Sequence, residues 1–267
     1  MNKELFKQSL INAGIGYGDT ILVHSNMGLI GRWTDIENDS NEICRRVKEI
    51  IFEVIGEDGT MCTPAYFYEY ARKNQEFDIV RSSCSSELGI FAKYCLEDKS
   101  RERSINPITS ICAIGKNAKF IVGGNTGYSY GYDTPWDRIM RLKGKLVFIG
   151  IDLRALTFAH HAEHSMCLPH LYNKLYTTKV YRDGVEIDTP ICCHVRYLNY
   201  EIKYNSKKNT EIFQNAGLLK ISPLERSNIY VLDANEAFEF CIENLKKDYY
   251  FLLENPPIFK EGQIPMV

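Results

Sequence analysis

Residues 144–170, GKLVFIGIDLRALTFAHHAEHSMCLPH, are the stretch from which the architecture can be read outward. Leu146 to Ile149 is a short unbroken apolar run, the most strand-like in the chain, and Gly150 closes it. After a short loop, Thr157 is placed to cap a helix with its hydroxyl, and Pro169 bounds that helix at the far end. An apolar strand, a glycine and then a polar helix form the repeating unit of a layered α/β fold. Ligands in such folds bind beyond the carboxyl ends of the strands.

The same order recurs upstream. Residues 3 to 13 form an amphipathic helix with Leu5, Phe6, Leu10 and Ile11 as its apolar face and Gly14 as its stop. Ile21 to His24 is an apolar strand, and SNMGLIGRW after it is a loop with Gly28 and Gly31. Ile43, Val47, Ile50, Ile51 and Val54 recur at helical spacing within residues 41–55, and Thr60 to Thr63 is a strand halted by Pro64. Residues 66–89 are a polar and aromatic excursion. Gly89–Leu96 is a helix, Ser110–Ile114 a strand and Ala118–Ile121 a short helix, and residues 123–139 are a second excursion. Beyond the quoted stretch, VYRDGVEI has an Asp-Gly turn between alternating segments and predicts a β-hairpin, with ICCHVRYL as a third strand of it. Ala234–Lys246 returns to helix, with Phe238, Cys241, Ile242 and Leu245 on one face. Neither an internal repeat nor a linker divides the chain.

Composition excludes several classes. A chain of 267 residues with 45% hydrophobic and 25% charged residues buries a core without disulfides or a structural metal. The net charge of −2 gives no electrostatic case for nucleic-acid binding. Nine cysteines, an odd number with no C-x-x-C pair, and a polar start, MNKELFKQSL, predict reduced thiols in the cytoplasm. No apolar run is long enough to cross a bilayer.

Four of the six histidines lie between Thr157 and His170. On a helix His160, Glu163, His164 and Cys167 share a face while His161 points away. Three readings stand side by side. His160-x-x-Glu163-His164 spells H-x-x-E-H, a two-histidine zinc pattern with a carboxylate base. The histidines can also be hydrogen-bonded and inert. Or neutral His160 is a metal-free general base, with Glu163 one turn along fixing its tautomer.

Several ordered segments bear on the choice. Val23-His24-Ser25-Asn26-Met27-Gly28-Leu29-Ile30-Gly31 resembles the VHSS-x-x-x-LG segment of the aminoglycoside 3-N-acetyltransferase family, and Gly59 to Pro64 resembles its GTLVMPT. Arg103 to Ser110 resembles its RS-x-HP-x-x-S, with Asn106 where the family has histidine. Gly131 to Ile139 resembles its FG-x-x-SP-x-x-RL, and Gly144–Gly150 with Thr157–Glu163 resembles its G-x-x-LLLG and T-x-LH-x-AE. The likeness covers most of residues 20–170 and weakens after His170.

The resemblance implies a single α/β domain over residues 1–267, with a central mixed β-sheet flanked by helices and a β-hairpin region near 179–198. It implies acetyl-CoA, or another short acyl-CoA, as cosubstrate and an amino-sugar amine as acceptor, with no metal and a homodimer left open. His160 aligns with the family's catalytic histidine and Glu163 with its acidic partner, and Thr157 is a candidate oxyanion donor. His24, Ser25, Asn26, Met27 and Gly28 would cradle the coenzyme, with Ser104 and Ser110 beside it. A polycationic aminoglycoside calls for carboxylates and stacking rings, so Tyr66, Tyr68, Glu69 and Asp133 are the acceptor candidates. Leu168 to Lys174 is more similar to family members associated with surface-polysaccharide synthesis. That implies a nucleotide-linked amino sugar instead, with Lys174, Arg182, Lys203, Lys207 and Lys208 available to a diphosphate. Two rivals of other classes are a zinc hydrolase and a coenzyme-binding protein without catalysis.

Overall fold

The computed structural model describes residues 1–124, 127–198 and 200–260. Asn125 and Thr126 of the second excursion, and 261–267 of the span assigned to the domain, lie outside the described residues. The strands are β1 (Thr20–Ser25), β2 (Thr60–Pro64), β3 (Phe77–Asp78), β4 (Glu102–Arg103), β5 (Ile111–Gly115) and β6 (Lys145–Ile149). They continue as β7 (Leu171–Tyr176), β8 (Val180–Arg182), β9 (Val185–Ile187), β10 (Ile191–Arg196), β11 (Lys220–Pro223) and β12 (Asn228–Asp233). The helices are α1 (Lys3–Asn12), α2 (Ser40–Ile55), α3 (Glu69–Lys73), α4 (Gly89–Leu96), α5 (Ala118–Val122) and α6 (Pro135–Arg141). Then follow α7 (Ala159–Met166), α8 (Ser206–Asn215) and α9 (Ala234–Lys247).

The central sheet has the order β11-β12-β6-β1-β2-β5-β4 and is mixed, as expected. Its middle, β6-β1-β2, is parallel, while β12, β5 and β4 join antiparallel. The two-residue period of a strand divides the core between the two faces. Ile21, Val23, Val147 and Ile149 face one cluster with Val47, Ile50 and Ile51 of α2. Leu22, Leu146 and Phe148 face the other, with Trp136 of α6, Ala162 of α7 and Leu245 of α9. Each such side chain, fully buried, contributes roughly 1.5–3 kcal/mol of transfer free energy. Continuous apolar runs in β1 and β6 are what a strand covered on both faces requires.

β1 and β6 run in register to their carboxyl ends, where Ser25 lies opposite Ile149. Gly150 follows at φ +71°, and a Cβ there would stand 2.4 Å from the Asn26 carbonyl oxygen. Only glycine lets the two strand-end loops approach this closely.

Several expectations need correction. Thr157 is not the helix cap: α7 starts at Ala159, and Phe158, in the cap position, makes no side-chain cap bond. Thr157 belongs to the preceding turn, where both its N–H and its hydroxyl donate to the Ala155 carbonyl. Cys167 leaves the helical face, ending α7 in a left-handed, exposed conformation. The hairpin forms, with Asp183 and Gly184 both at positive φ, but β10 does not join it. β10 pairs with β7, and β8 pairs instead with β3 from the first excursion. On α1 only Phe6 and Leu10 of the expected face are buried, while Leu5 and Ile11 are exposed. The second excursion contains α6, opened by Pro135 in its first turn. Among the described residues no helix is long and apolar enough to cross a membrane.

Arg103 ties the first excursion to the sheet. It is 2% exposed, and its guanidinium donates to Ser110 Oγ at 2.9 Å, to the Ser82 carbonyl at 2.5 Å and to the carbonyls of Ala65 and Ser83. Its face lies 4.6 Å from the Phe77 ring centroid. Arg103→Ala strands these acceptors in a buried site and is expected to destabilise the protein by about 3 kcal/mol. Urea unfolding at neutral pH measures this; a loss under about 0.5 kcal/mol would contradict it.

Candidate active site

The site is assembled by α7, which starts just beyond the carboxyl end of β6. On this helix His160 and Glu163 are three residues apart and therefore neighbours. His160 Nδ1 and Glu163 Oε2 are 2.5 Å apart. Glu163 is wholly buried, whereas the His160 side chain keeps about a third of its surface exposed. Two further groups reach the carboxylate from other parts of the chain. The Tyr204 hydroxyl donates to Oε2 at 3.0 Å, and His170 Nε2, itself fully buried, stands 3.6 Å from Oε1. The Tyr204 ring lies edge-on to the His160 ring, 4.9 Å between centroids.

Burial by itself pushes the Glu163 carboxyl up, because a charge in an apolar site is poorly solvated. The His160 hydrogen bond and charge, followed by His170, outweigh burial and bring Glu163 down to about 2. At neutral pH Glu163 is therefore a carboxylate and can only accept hydrogen bonds. It follows that His160 Nδ1 carries the hydrogen between them. In the neutral ring Nε2 then holds the free lone pair. The zinc pattern calls for a free carboxylate and converging histidines. Here Glu163 is engaged by His160 and Tyr204, and His164 packs edge-on against His194, 5.0 Å away. Among the described residues no group of three or more His, Cys, Asp or Glu is arranged to hold a metal ion.

Three cavities meet around this dyad. One of about 170 Å³, beyond the ends of β1 and β2, is lined by His24, Ser25, Tyr66, Tyr68 and Thr157 among others. A second, about 140 Å³, has His160, Thr157, Tyr204 and Asn209 in its wall. The third is an open cleft of about 490 Å³ lined by Tyr68, Arg72, His160, His194, Arg196 and Tyr204 with apolar neighbours. Tyr68 and Thr157 join the first cavity to the two that touch His160.

The structure thus brings together His160, Glu163, Thr157, His24, Ser25, Tyr66 and Tyr68. His24 is stacked on Phe148 at 5.3 Å, and burial lowers it to about 4, so it is uncharged at neutral pH. Other candidates are occupied elsewhere. The Asn26 side chain accepts from the Gly28 N–H at 3.2 Å, and Met27 is buried. Ser104 Oγ accepts from the Ile111 N–H, and Ser110 Oγ accepts from Arg103, so both hydroxyls serve the β4–β5 corner. Asn106 donates to the Gly127 carbonyl at 2.6 Å and accepts from the N–H groups of Ile108 and Thr109, a loop-organising role. Asp133 is paired with Arg138 and Arg141. Glu69 opens α3, half-buried, and lines none of the three cavities. Lys203 is paired with Glu201, and Lys174 lies over Tyr176. His161, lowered to about 4 by burial, accepts from the Gly131 N–H and is part of the core.

Tyr204, His194, Arg72 and Arg196 were not among the expected site residues, and His170 had no expected role. Tyr204 is 41 positions from Glu163, so no local pattern announces it.

The family profile described as aminoglycoside 3-N-acetyltransferase matches residues 22–246. Aminoglycoside N(3)-acetyltransferase III of Pseudomonas aeruginosa is 22% identical over 190 residues, 65% of this chain and 68% of that protein. Aminoglycoside N(3)-acetyltransferase VII of Streptomyces paromomycinus is 25% identical over 173 residues, 58% of each chain. Among solved structures, AAC-IIIb in binary form with CoASH superimposes with a TM-score of 0.77 at 19% identity, covering 92% of this chain and 97% of that one. AAC-VIa bound to sisomicin gives 0.77 at 18% identity, covering 92% and 98%. These structural likenesses speak for the fold.

The Glu163 geometry has a consequence for acid stability. A carboxyl held below its ordinary value contributes stability that is complete above pH 4.5 and is lost as the pH falls toward about 2. In Glu163→Gln that titration is gone. The variant is expected to be about 2 kcal/mol less stable at pH 7, because a charge-assisted bond is lost, and to lose less stability between pH 4.5 and 2. Urea midpoints across that window check this, and parallel acid curves for the two proteins would contradict it.

Proposed function

Since the chain belongs to the aminoglycoside 3-N-acetyltransferase family, we propose that it moves an acetyl group from acetyl-CoA to the amine of an amino sugar, with His160 as general base. The observation that carries this is the His160–Glu163 pair, which leaves a basic imidazole nitrogen on the wall of an open cleft.

The residues present fit the cosubstrate. The cavity beyond β1 and β2 lies at the strand ends where α/β folds bind ligands. It presents Ser25, His24 and Thr157, with the buried Tyr66 in its wall beside Thr157. Bound there, acetyl-CoA supplies an acetyl thioester as the electrophile. Ser25 and the backbone of its loop hold the coenzyme, and the Thr157 hydroxyl, turning away from its long 3.4 Å contact with the Ala155 carbonyl, donates to the thioester carbonyl oxygen, as an oxyanion-hole donor does.

The chain's own contribution is proton handling and placement. A sugar amine is an ammonium at neutral pH and cannot attack until it is deprotonated. His160 Nε2 takes that proton, and Glu163, already ionised, stabilises the imidazolium that results. As the new N–C bond forms and the C–S bond breaks, the nitrogen gives its second proton to the departing sulfur and the proton held on His160 passes to solvent, so that the products are amide, CoA thiol and one released proton. Tyr204 and His170 hold Glu163 so that the ring keeps its orientation. No cysteine is needed as an acyl carrier. Cys167 is exposed at the end of α7, and Cys193 is buried against Asn106 with its thiol raised to about 12 by burial.

His160→Ala is expected to lower kcat by about 10³-fold while the dissociation constant for CoA stays within about twofold. Thiol release from acetyl-CoA in the presence of an amine, with calorimetry for CoA, checks both. Turnover within a factor of about ten of wild type would sink the assignment of the base.

A further inference from the structure

We propose, resting on the transferase reading above, that the acceptor is an amino sugar carrying a negative charge, a carboxylate or a phosphate, which Arg196 anchors in the cleft beside His160.

The cleft's charged side chains are Arg72 and Arg196, and none of its lining residues is a carboxylate. Of the neighbouring acids, Glu69 sits one turn before Arg72 on α3 and outside the cleft wall, and two others are already matched. Glu163 is buried behind His160 and bound by Tyr204, while Glu87 pairs with Arg72 at 2.6 Å on the rim. Asp133, which sequence patterning offers to a polycation, is held by Arg138 and Arg141. A polycationic acceptor would therefore enter a cleft whose wall carries two guanidiniums and no carboxylate.

That guanidinium is Arg196. In the antiparallel β7–β10 ribbon Arg196 lies opposite Leu171 and His194 opposite Asn173. The two-residue period of β10 puts His194 and Arg196 on one face, and both, with Leu171, line the cleft. Arg196 Nη1 donates to the Ile202 carbonyl at 2.9 Å, which steadies the side chain, and no ion pair to Arg196 occurs among the described residues. Among the described residues no further hydrogen bond of the fork is found, and a planar guanidinium matches the oxygens of carboxylate or phosphate two at a time. Tyr68, carrying Arg72 4.6 Å over its ring, offers a flat wall for the sugar. A fixed anion site on β10 and a fixed base on α7 together select which amine reaches Nε2. In this account Arg196 determines regiochemistry as well as acceptor class.

The test uses the purified full chain with acetyl-CoA, reading thiol release. Acceptors are 2-, 3- and 4-amino hexoses, each as the neutral sugar, the uronic acid, the 1-phosphate and the nucleoside-diphosphate ester, alongside gentamicin. At least one anionic acceptor is expected to exceed its neutral parent in kcat/KM by about 10- to 100-fold. Uronic acid against phosphate arms identify which anion is meant. Arg196→Gln should remove most of that preference, mainly through the acceptor KM, and Arg196→Lys should restore part of it. Equal rates for charged and neutral acceptors, or a preference for gentamicin indifferent to Arg196→Gln, would overturn the inference and leave the transferase reading standing. So would an Arg196→Gln variant whose KM rises for acetyl-CoA instead of the acceptor, since the arginine would then serve the coenzyme's phosphates. No turnover of any amine, with CoA still bound, would remove both readings.

Discussion

A carboxylate with no exposed surface is costly to keep ionised, and Glu163 is kept ionised by one short contact to His160. Tyr204 adds a second hydrogen bond to the same oxygen, and His170 stands near the other. The energy that binds Glu163 also sets the chemistry of its partner. An anion fixed at Nδ1 decides the tautomer, and the tautomer decides that Nε2 is the basic atom. Remove the charge and the ring is free to flip or to present a hydrogen where a lone pair is needed. Cavities, strand ends and the cationic ribbon all take their meaning from where that lone pair stands.

The fold holds the dyad by ordinary means. β1 and β6 are buried on both faces and end together, so α7 starts at a fixed place. Gly150 permits the loops beyond those ends to touch, which brings the Ser25 region and the α7 entry into one crevice. α7 packs against α9, with His161 tilted against Phe158 and Phe238. The histidine at 161 is therefore core, while its neighbour at 160 lines the cleft. One helical step separates the two roles.

Much of this was legible in residue order. Unbroken apolar runs marked β1 and β6, and helical spacing marked α2 and α9 within a residue or two, because these patterns report burial directly. The i, i+3 relation of His160 and Glu163 follows from helix geometry, so the dyad could be read locally. Contacts between distant segments were not legible. Nothing around Tyr204 or Arg196 signals a site, since both reach it only through the β7–β10 ribbon and the turn after it. Thr157 was misplaced because a hydroxyl before a helix is the usual cap, while here a tight turn at Leu153–Ala155 uses it first. Ser104 and Ser110 were drawn toward the coenzyme by likeness alone, and a buried arginine beside them claims their part of the fold.

Nitrogen-15 NMR of histidine-labelled protein, titrated until the His160 ring is neutral, reports the protonation pattern of the dyad most directly, with His160→Asn supplying the assignment. The account predicts that His160 carries its hydrogen on Nδ1, shared with Glu163, and has a bare Nε2. A His160 ring protonated on Nε2 and bare on Nδ1 would contradict it.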